Sequence, residues 1–193
     1  MSDSVQNKWQ LKDEAKLVAR AMDDPAAFSL IFEHYFPLVH KYVFYRINDP
    51  HASDDLVSQV FEKIVTNLSK YRSNQAPFGP WVFGIARHAV SDFFRSQQRN
   101  RLFSFEHLPQ LAAIDPPLEV TTMQTEEDHH LICALSKLPD REKDLISLKF
   151  AGGLNNRQIA RLTGLSESHV GVILYRAIQK LRESLIKEEQ NEN

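Results

Sequence analysis

Cysteine is almost absent from this chain. Cys133 is the only one, so no internal disulfide can form, which suits a reducing compartment. It sits beside Leu131, Ile132 and Leu135 and reads as filler on an apolar helix face rather than as a reactive thiol. Glycine and proline are also few, 6 and 9 in 193 residues, which excludes a low-complexity or collagen-like polymer. No apolar run approaches the roughly 20 residues that a membrane-spanning helix needs. The polar start, residues 1–8, has no apolar stretch of the secretory type. A cytoplasmic protein without membrane insertion is therefore expected. The sequence contains no phosphate-binding glycine loop, no Gly-x-Ser-x-Gly elbow and no His-Glu-x-x-His pair. His129 and His130 lie beside Glu126, Glu127 and Asp128, but adjacent residues on a helix point about a third of a turn apart and chelate poorly. No metal, cofactor or catalytic residue is expected.

Apolar residues make up 42% of the chain, enough to fill real cores. The net charge of −2 hides a split. Residues 145–187 carry seven lysines or arginines against two glutamates, and residues 115–128 carry five acids and no base. A basic C-terminal part beside an acidic connector suits contact with phosphates, although solvated helix faces would look the same.

Apolar spacing predicts helix almost throughout and no strand. A short helix is expected over 13–21. Pro25, Ala26 and Ala27 open the next, whose Phe28, Ile31, Phe32, Tyr35 and Phe36 recur at helical spacing and continue past Pro37 to Ile47. Asn48-Asp49-Pro50 breaks it. Ser53 or Asp54 is placed to cap a third helix. Its apolar stripe is Leu56, Val57, Val60, Phe61, Ile64, Val65 and Leu68, opposite Asp54, Asp55, Ser58, Gln59, Glu62, Lys63 and Asn67. A loop over 69–79 holds Lys70, Tyr71, Arg72 and Phe78, and a helix follows over 80–98. Periodicity fades from 101 to about 125, where Pro109, Pro116 and Pro117 fall among the acids. The expected fold class is all-α: two small helical bundles, residues 10–100 and 128–188, joined by a flexible linker over 101–127. The linker predicts a domain arrangement that depends on what is bound.

The C-terminal part carries a helix-turn-helix. Leu138-Pro139-Asp140 starts a helix that reaches Phe150 and stops at Gly152-Gly153. Asn155 and Gln158 have capping-box spacing before a short helix over 157–162. Thr163-Gly164-Leu165 is the turn, and Ser166 caps a last helix running to about 187. Two helices crossing at close range need a small residue, here Ala160. The turn needs a left-handed backbone, cheap for Gly164. The second helix needs a branched apolar plug, here Val170. Ile159, Leu165, Val170, Leu174, Ala177, Ile178 and Leu181 form the expected buried stripe. The outward face carries Ser166, Glu167, Ser168, His169, Val172, Tyr175 and Arg176, with Arg157, Arg176 and Lys180 as candidate DNA contacts. Its tip is poor in Arg and Lys, so the module alone should bind DNA weakly.

The helix from Pro80 mixes aromatics with a basic stripe. Trp81, Ile85, Ala89 or Val90, and Phe93 or Phe94 are expected to face a core. Arg87, Ser91, Arg95 and Arg99 recur every fourth residue beside His88 and Asp92. Such a stripe flanked by an exposed aromatic loop suits single-stranded DNA. Spacing alone slightly favours plain core aromatics and solvated arginines.

Four stretches in this order resemble the extracytoplasmic-function class of bacterial RNA polymerase sigma factors: 53–61 (SDDLVSQVF), 80–89 (PWVFGIARHA), 138–142 (LPDRE) and the helix-turn-helix over 154–181. The resemblance implies a non-enzymatic specificity subunit that binds core RNA polymerase and promoter DNA. It assigns Asp54, Asp55, Leu56, Gln59 and Phe61 to docking on the clamp helices of the polymerase large subunit. It assigns Lys70, Arg72, Trp81, Arg87, His88, Ser91, Arg95 and Arg99 to opening the −10 element as single strands, and the helix-turn-helix to reading the −35 element as duplex. The linker would thread toward the RNA exit path. An anti-sigma factor is the implied regulator. Ser58-Gln59 stands where the family often has Gln-Glu, His88 where Asn is common, and Gly171-Val172-Ile173 where a more basic stretch is common. A helical sensor joined to a polymerase-independent helix-turn-helix, or an enzyme with an unfamiliar helical site, are the competing readings of the residues alone.

Overall fold

The computed structural model describes residues 11–104 and 126–191. Among them all regular structure is helical: α1 (Leu11–Arg20), α2 (Pro25–Ile47), α3 (Pro50–Asn67), α4 (Phe78–Ser104), α5 (Glu126–Ser136), α6 (Asp140–Phe150), α7 (Asn156–Thr163) and α8 (Glu167–Asn191), with a 3-10 turn at Leu68–Lys70. The linker prolines and most of the acidic connector lie outside the described residues.

Helix boundaries follow local capping chemistry. The Asp24 carboxylate accepts from the Ala26 N–H at 3.0 Å, with Pro25 in the first turn of α2. Pro37 is accommodated inside α2, which ends at Asn48 in the left-handed region (φ 56°). Asp49 then caps α3 by accepting from Ala52 N–H at 3.0 Å, again with proline directly inside. This corrects the expected cap at Ser53 or Asp54. Asp49-Pro50 already satisfies the free N–H groups, and Ser53 lies one turn in, fully buried.

The N-terminal unit packs α1 to α4 around Val39, Tyr42, Val43, Val57, Val60, Ile64, Phe78, Val82, Phe83 and Ala86. Val65, expected in the α3 stripe, is 53% exposed. On α4 the innermost residues are Val82, Phe83, Ala86, Ala89 and Val90, whereas Trp81, Ile85, Phe93 and Phe94 lie at the rim. The buried face is thus turned by about one residue from the expected one. α4 also begins two residues earlier than expected and runs to Ser104.

The C-terminal unit is the expected helix-turn-helix on the α5–α6 pair. Asn155 and Gln158 form a reciprocal capping box, both bonds 2.9 Å. Gly164 caps α7 with φ 72°, and the Ser166 hydroxyl accepts from His169 N–H at 3.2 Å. Ala160 and Val170 are both buried, with Ile159, Leu174 and Ala177 around them. Leu165, Ile178 and Leu181 pack on that core half-buried.

The two units do not stand apart. α2 packs on α6 and α4 on α7, so one buried cluster runs through both. The Phe83 ring lies so close to Gly152 that a Cβ there would sit 3.1 Å from it and 2.8 Å from the Leu148 carbonyl oxygen. Trp81 is nevertheless only half-buried, at the rim of the N-terminal unit.

Two outcomes are expected. Ala160→Leu overpacks the helix crossing and should cost about 1–3 kcal/mol. Gly164→Ala forces a side chain onto a left-handed backbone at about 1–2 kcal/mol. Both should lower the chemical-denaturation midpoint, whereas Arg161→Leu on the exposed side of α7 should not. His34 gives a pH dependence. Burial lowers its pKa below 6.5, opposed by the Glu14 charge. The unfolded chain therefore takes up this proton first as pH falls through 6.5, and the folded state loses stability. His34→Gln should flatten the denaturation midpoint between about pH 7 and pH 5.

Candidate nucleic-acid interface

α3 and α4 bring charge and an aromatic ring together. Lys63, Asn67 and Lys70 fall at helical spacing along the end of α3 and the 3-10 turn. They face Trp81, Ile85 and His88 of α4 across a cleft of about 320 Å³. Phe78, fully buried, stacks on Trp81 at 5.3 Å, and Tyr71 packs on both rings at 5.1 and 5.4 Å. The Tyr71 hydroxyl donates to Ala76 O at 2.9 Å and closes the loop beneath the indole. The loop aromatics are thus a buried footing and not the exposed surface expected from sequence. Of these three rings Trp81 alone is half-buried and carries ring area to the rim of the cleft.

Lys70, Trp81 and His88 were predicted at this interface and share the cleft. Lys63 and Asn67 were read merely as polar stripe, although the 63, 67, 70 spacing marks one face with Lys70. Lys70 Nζ donates to Asn67 Oδ1 at 2.9 Å. Arg72 lies outside the cleft, its Nη1 donating to Ser69 O at 2.7 Å and Tyr71 O at 3.0 Å. Farther along α4, Arg95 donates to Ser91 Oγ at 3.1 Å and pairs with Asp92 at 3.4 Å, and Arg99 is exposed. Arg87 leaves this stripe: its Nε donates to Asp144 Oδ2 of α6 at 2.7 Å. Tyr42 Oη donates to the other oxygen at 2.8 Å. Burial, then the Asp144 charge, pushes that phenol well above its ordinary pKa, so it remains a donor.

The predicted docking set divides by depth. Leu56 and Phe61 are core residues, 5% and 6% exposed, while Asp54, Asp55 and Gln59 present side chains outward. Asp54 bonds His40 Nε2 at 3.0 Å. Phe61 instead supports two exposed rings of α2, Phe32 at 4.7 Å and Phe36 at 5.9 Å, each 38% exposed. These rings carried no predicted docking role, because helical spacing alone did not separate inward from outward members of the series. Ile31/Phe32 and Tyr35/Phe36 are adjacent pairs about 100° apart, so only one member of each can face inward.

On the helix-turn-helix, Ser166, Glu167, Ser168, His169, Val172, Tyr175 and Arg176 are all exposed. The Ser166 oxygen is engaged as a cap. Arg157 pairs with Glu167 at 3.5 Å, and Lys180 with Glu142 at 2.6 Å. Among the described residues no group of three His, Cys, Asp or Glu side chains could hold a metal ion, and no helix is long and apolar enough to cross a membrane.

The two helical units, the second built on a helix-turn-helix, define a protein of the sigma-70 type. Residues 31–100 match Sigma-70 region 2, and residues 134–183 match Sigma-70 region 4. Within that type, the chain belongs to the extracytoplasmic-function RNA polymerase sigma factors. It is 25% identical over 167 residues to the factor BldN of Streptomyces coelicolor, covering 86% of this chain and 63% of that relative, less than two thirds of its length. It is 27% identical over 175 residues to SigD of Mycobacterium tuberculosis, covering 88% and 82%. Its fold is similar to that of the sigma factor RpoE in complex with the anti-sigma factor NepR from Bartonella quintana, with a TM-score of 0.66, 19% identity and coverage of 82% and 96%.

The cleft chemistry suits an unstacked base on Trp81 with its phosphates on Lys63 and Lys70. Trp81→Ala should weaken binding of a labelled single-stranded oligonucleotide about tenfold. Lys63→Ala and Lys70→Ala should each reduce the slope of log affinity against log salt by about 0.7. Anisotropy titrations at three salt concentrations check both.

Proposed function

We propose that the chain is a dissociable, non-catalytic specificity subunit of RNA polymerase that acts in the cytoplasm. It recruits core polymerase to a promoter and opens the DNA with binding energy, making and breaking no covalent bond. The carrying observation is the pairing, in one chain, of a region 2 unit bearing the Trp81 cleft with a region 4 helix-turn-helix whose outward face is free of core contacts. The first unit takes the −10 element as single strand. The second reads the −35 element as duplex through the 167–176 face of α8. The poor basic tip is compensated because both modules ride on one polymerase, where effective concentration replaces intrinsic affinity.

Asp54, Asp55 and Gln59, with the exposed Phe32 and Phe36 beside them, form the surface for the clamp helices of the polymerase large subunit. Leu56 and Phe61 set its shape from beneath. Residues 10–100 and 128–188 are the two functional units and 101–127 their connection. An anti-sigma factor is the natural antagonist, as NepR is a partner of the RpoE relative.

The test is transcription with purified core polymerase on a promoter library, with transcript 5′ ends sequenced. Initiation clustered at one promoter motif is expected. Duplex binding without polymerase, and no initiation with it, would overturn the reading in favour of a stand-alone regulator. Asp55→Lys should leave helicity unchanged, since the side chain is exposed, and reduce co-purification with core polymerase at least tenfold.

A further inference from the structure

Arg87 belongs by register to the basic stripe of α4, yet it is drawn onto a carboxylate of the other unit. Asp144 is 7% exposed and accepts from Arg87 Nε at 2.7 Å and Tyr42 Oη at 2.8 Å, with Arg46 Nε 3.8 Å away. Arg46, its side chain 9% exposed, donates from Nη1 to Asp140 O at 3.0 Å. In these contacts the N-terminal unit supplies the bonding cations and the C-terminal unit both acceptors, with Arg141 of the C-terminal unit also lining the junction. We propose that Asp144 is an interdomain latch. Its carboxylate occupies at Arg87 the place of a DNA phosphate and holds the chain in a closed form of low DNA affinity.

Three observations support this. The contact is built on its apolar side as well, with Phe83 seated on Gly152 and Gly84 within 3.5 Å of Leu162 Cδ1 if it bore a Cβ. The polar side is held by charge more than by fit. A cavity of about 300 Å³ opens among Arg46, Arg87, Asp140, Asp144 and Thr163, and Arg46 Nε is buried without a hydrogen bond. Such a junction separates more readily than the dry α7–α8 crossing. Finally, a guanidinium binds carboxylate and phosphate with the same donors, so DNA and Asp144 are exchangeable partners of Arg87. The identity of the ligand rests on the sigma reading; the closed geometry does not.

A binding-competent form populated only in part weakens apparent affinity by that fraction. Asp144→Asn removes the charge that neutralises Arg46 and Arg87 and should open the full-length chain. Its affinity for a fluorescein-labelled single-stranded oligonucleotide, without polymerase, should rise about tenfold. Tyr42→Phe, which keeps every charge, should act in the same direction more weakly. Unchanged affinity in both, with circular dichroism of the wild type, overturns the latch. A second arm uses Gly84→Cys with Leu162→Cys in a Cys133→Ser background. The oxidised pair should lose promoter-specific initiation with core polymerase and regain it on reduction. Equal initiation by the oxidised form also overturns the latch. If the reduced form fails to initiate, the sigma reading falls instead, and the oligonucleotide arm alone decides the latch.

Discussion

A carboxylate placed between two helical units has to be answered by charge, and Asp144 of α6 imposes that demand on two other helices at once. Withdrawing its cations would leave a buried anion at a cost of about 3–5 kcal/mol. Tyr42 and Arg46 meet the demand from α2 because they are four residues apart on one face. Arg87 meets it from α4. The register of α2 against α6 follows, and with it the seating of Phe83 on Gly152. The fold therefore has an electrostatic centre between its two units, and that centre withdraws Arg87 from the basic stripe of α4.

The two halves present different surfaces built from the same material. The N-terminal unit makes a narrow cleft with a single aromatic ring on a buried aromatic footing. The C-terminal unit makes a convex helix face whose residues are short and polar near the tip. Their charge is arranged accordingly: cations line the cleft, whereas on the helix-turn-helix Arg157 and Lys180 are already paired with Glu167 and Glu142. Of the three candidate cations on that face only Arg176 stays outside an ion pair among the described residues, which leaves shape and base edges a larger share in the proposed duplex contact.

Legibility in the sequence followed the distance over which each feature is decided. The helix-turn-helix was readable to within a residue or so at its turn because Ala160, Gly164 and Val170 lie within ten residues of one another, and the Asn155–Gln158 box within three. The helical class was equally plain from periodicity. The α3 cap was misplaced by four residues because Ser53 and Asp54 mimic the Asp49 signal. Adjacent apolar pairs on α2 were ambiguous, so spacing did not single out Phe32 and Phe36 as the exposed members. Tyr71 and Phe78 lay in a segment without period, where nothing local reveals that they pack under Trp81. The Arg87 and Tyr42 bonds to Asp144 span 57 and 102 residues and cross the linker, and no spacing rule reaches that far.

Helix α4 serves two neighbours on two flanks. Trp81, Ile85 and His88 line the cleft, while Phe83, Gly84 and Arg87 meet the C-terminal unit about a third of a turn round the same rod. To the extent that occupants of the two flanks favour different settings of this helix, each alters the other's affinity by the same factor. A strand held in the cleft would loosen the distant unit as much as release of that unit would tighten the strand.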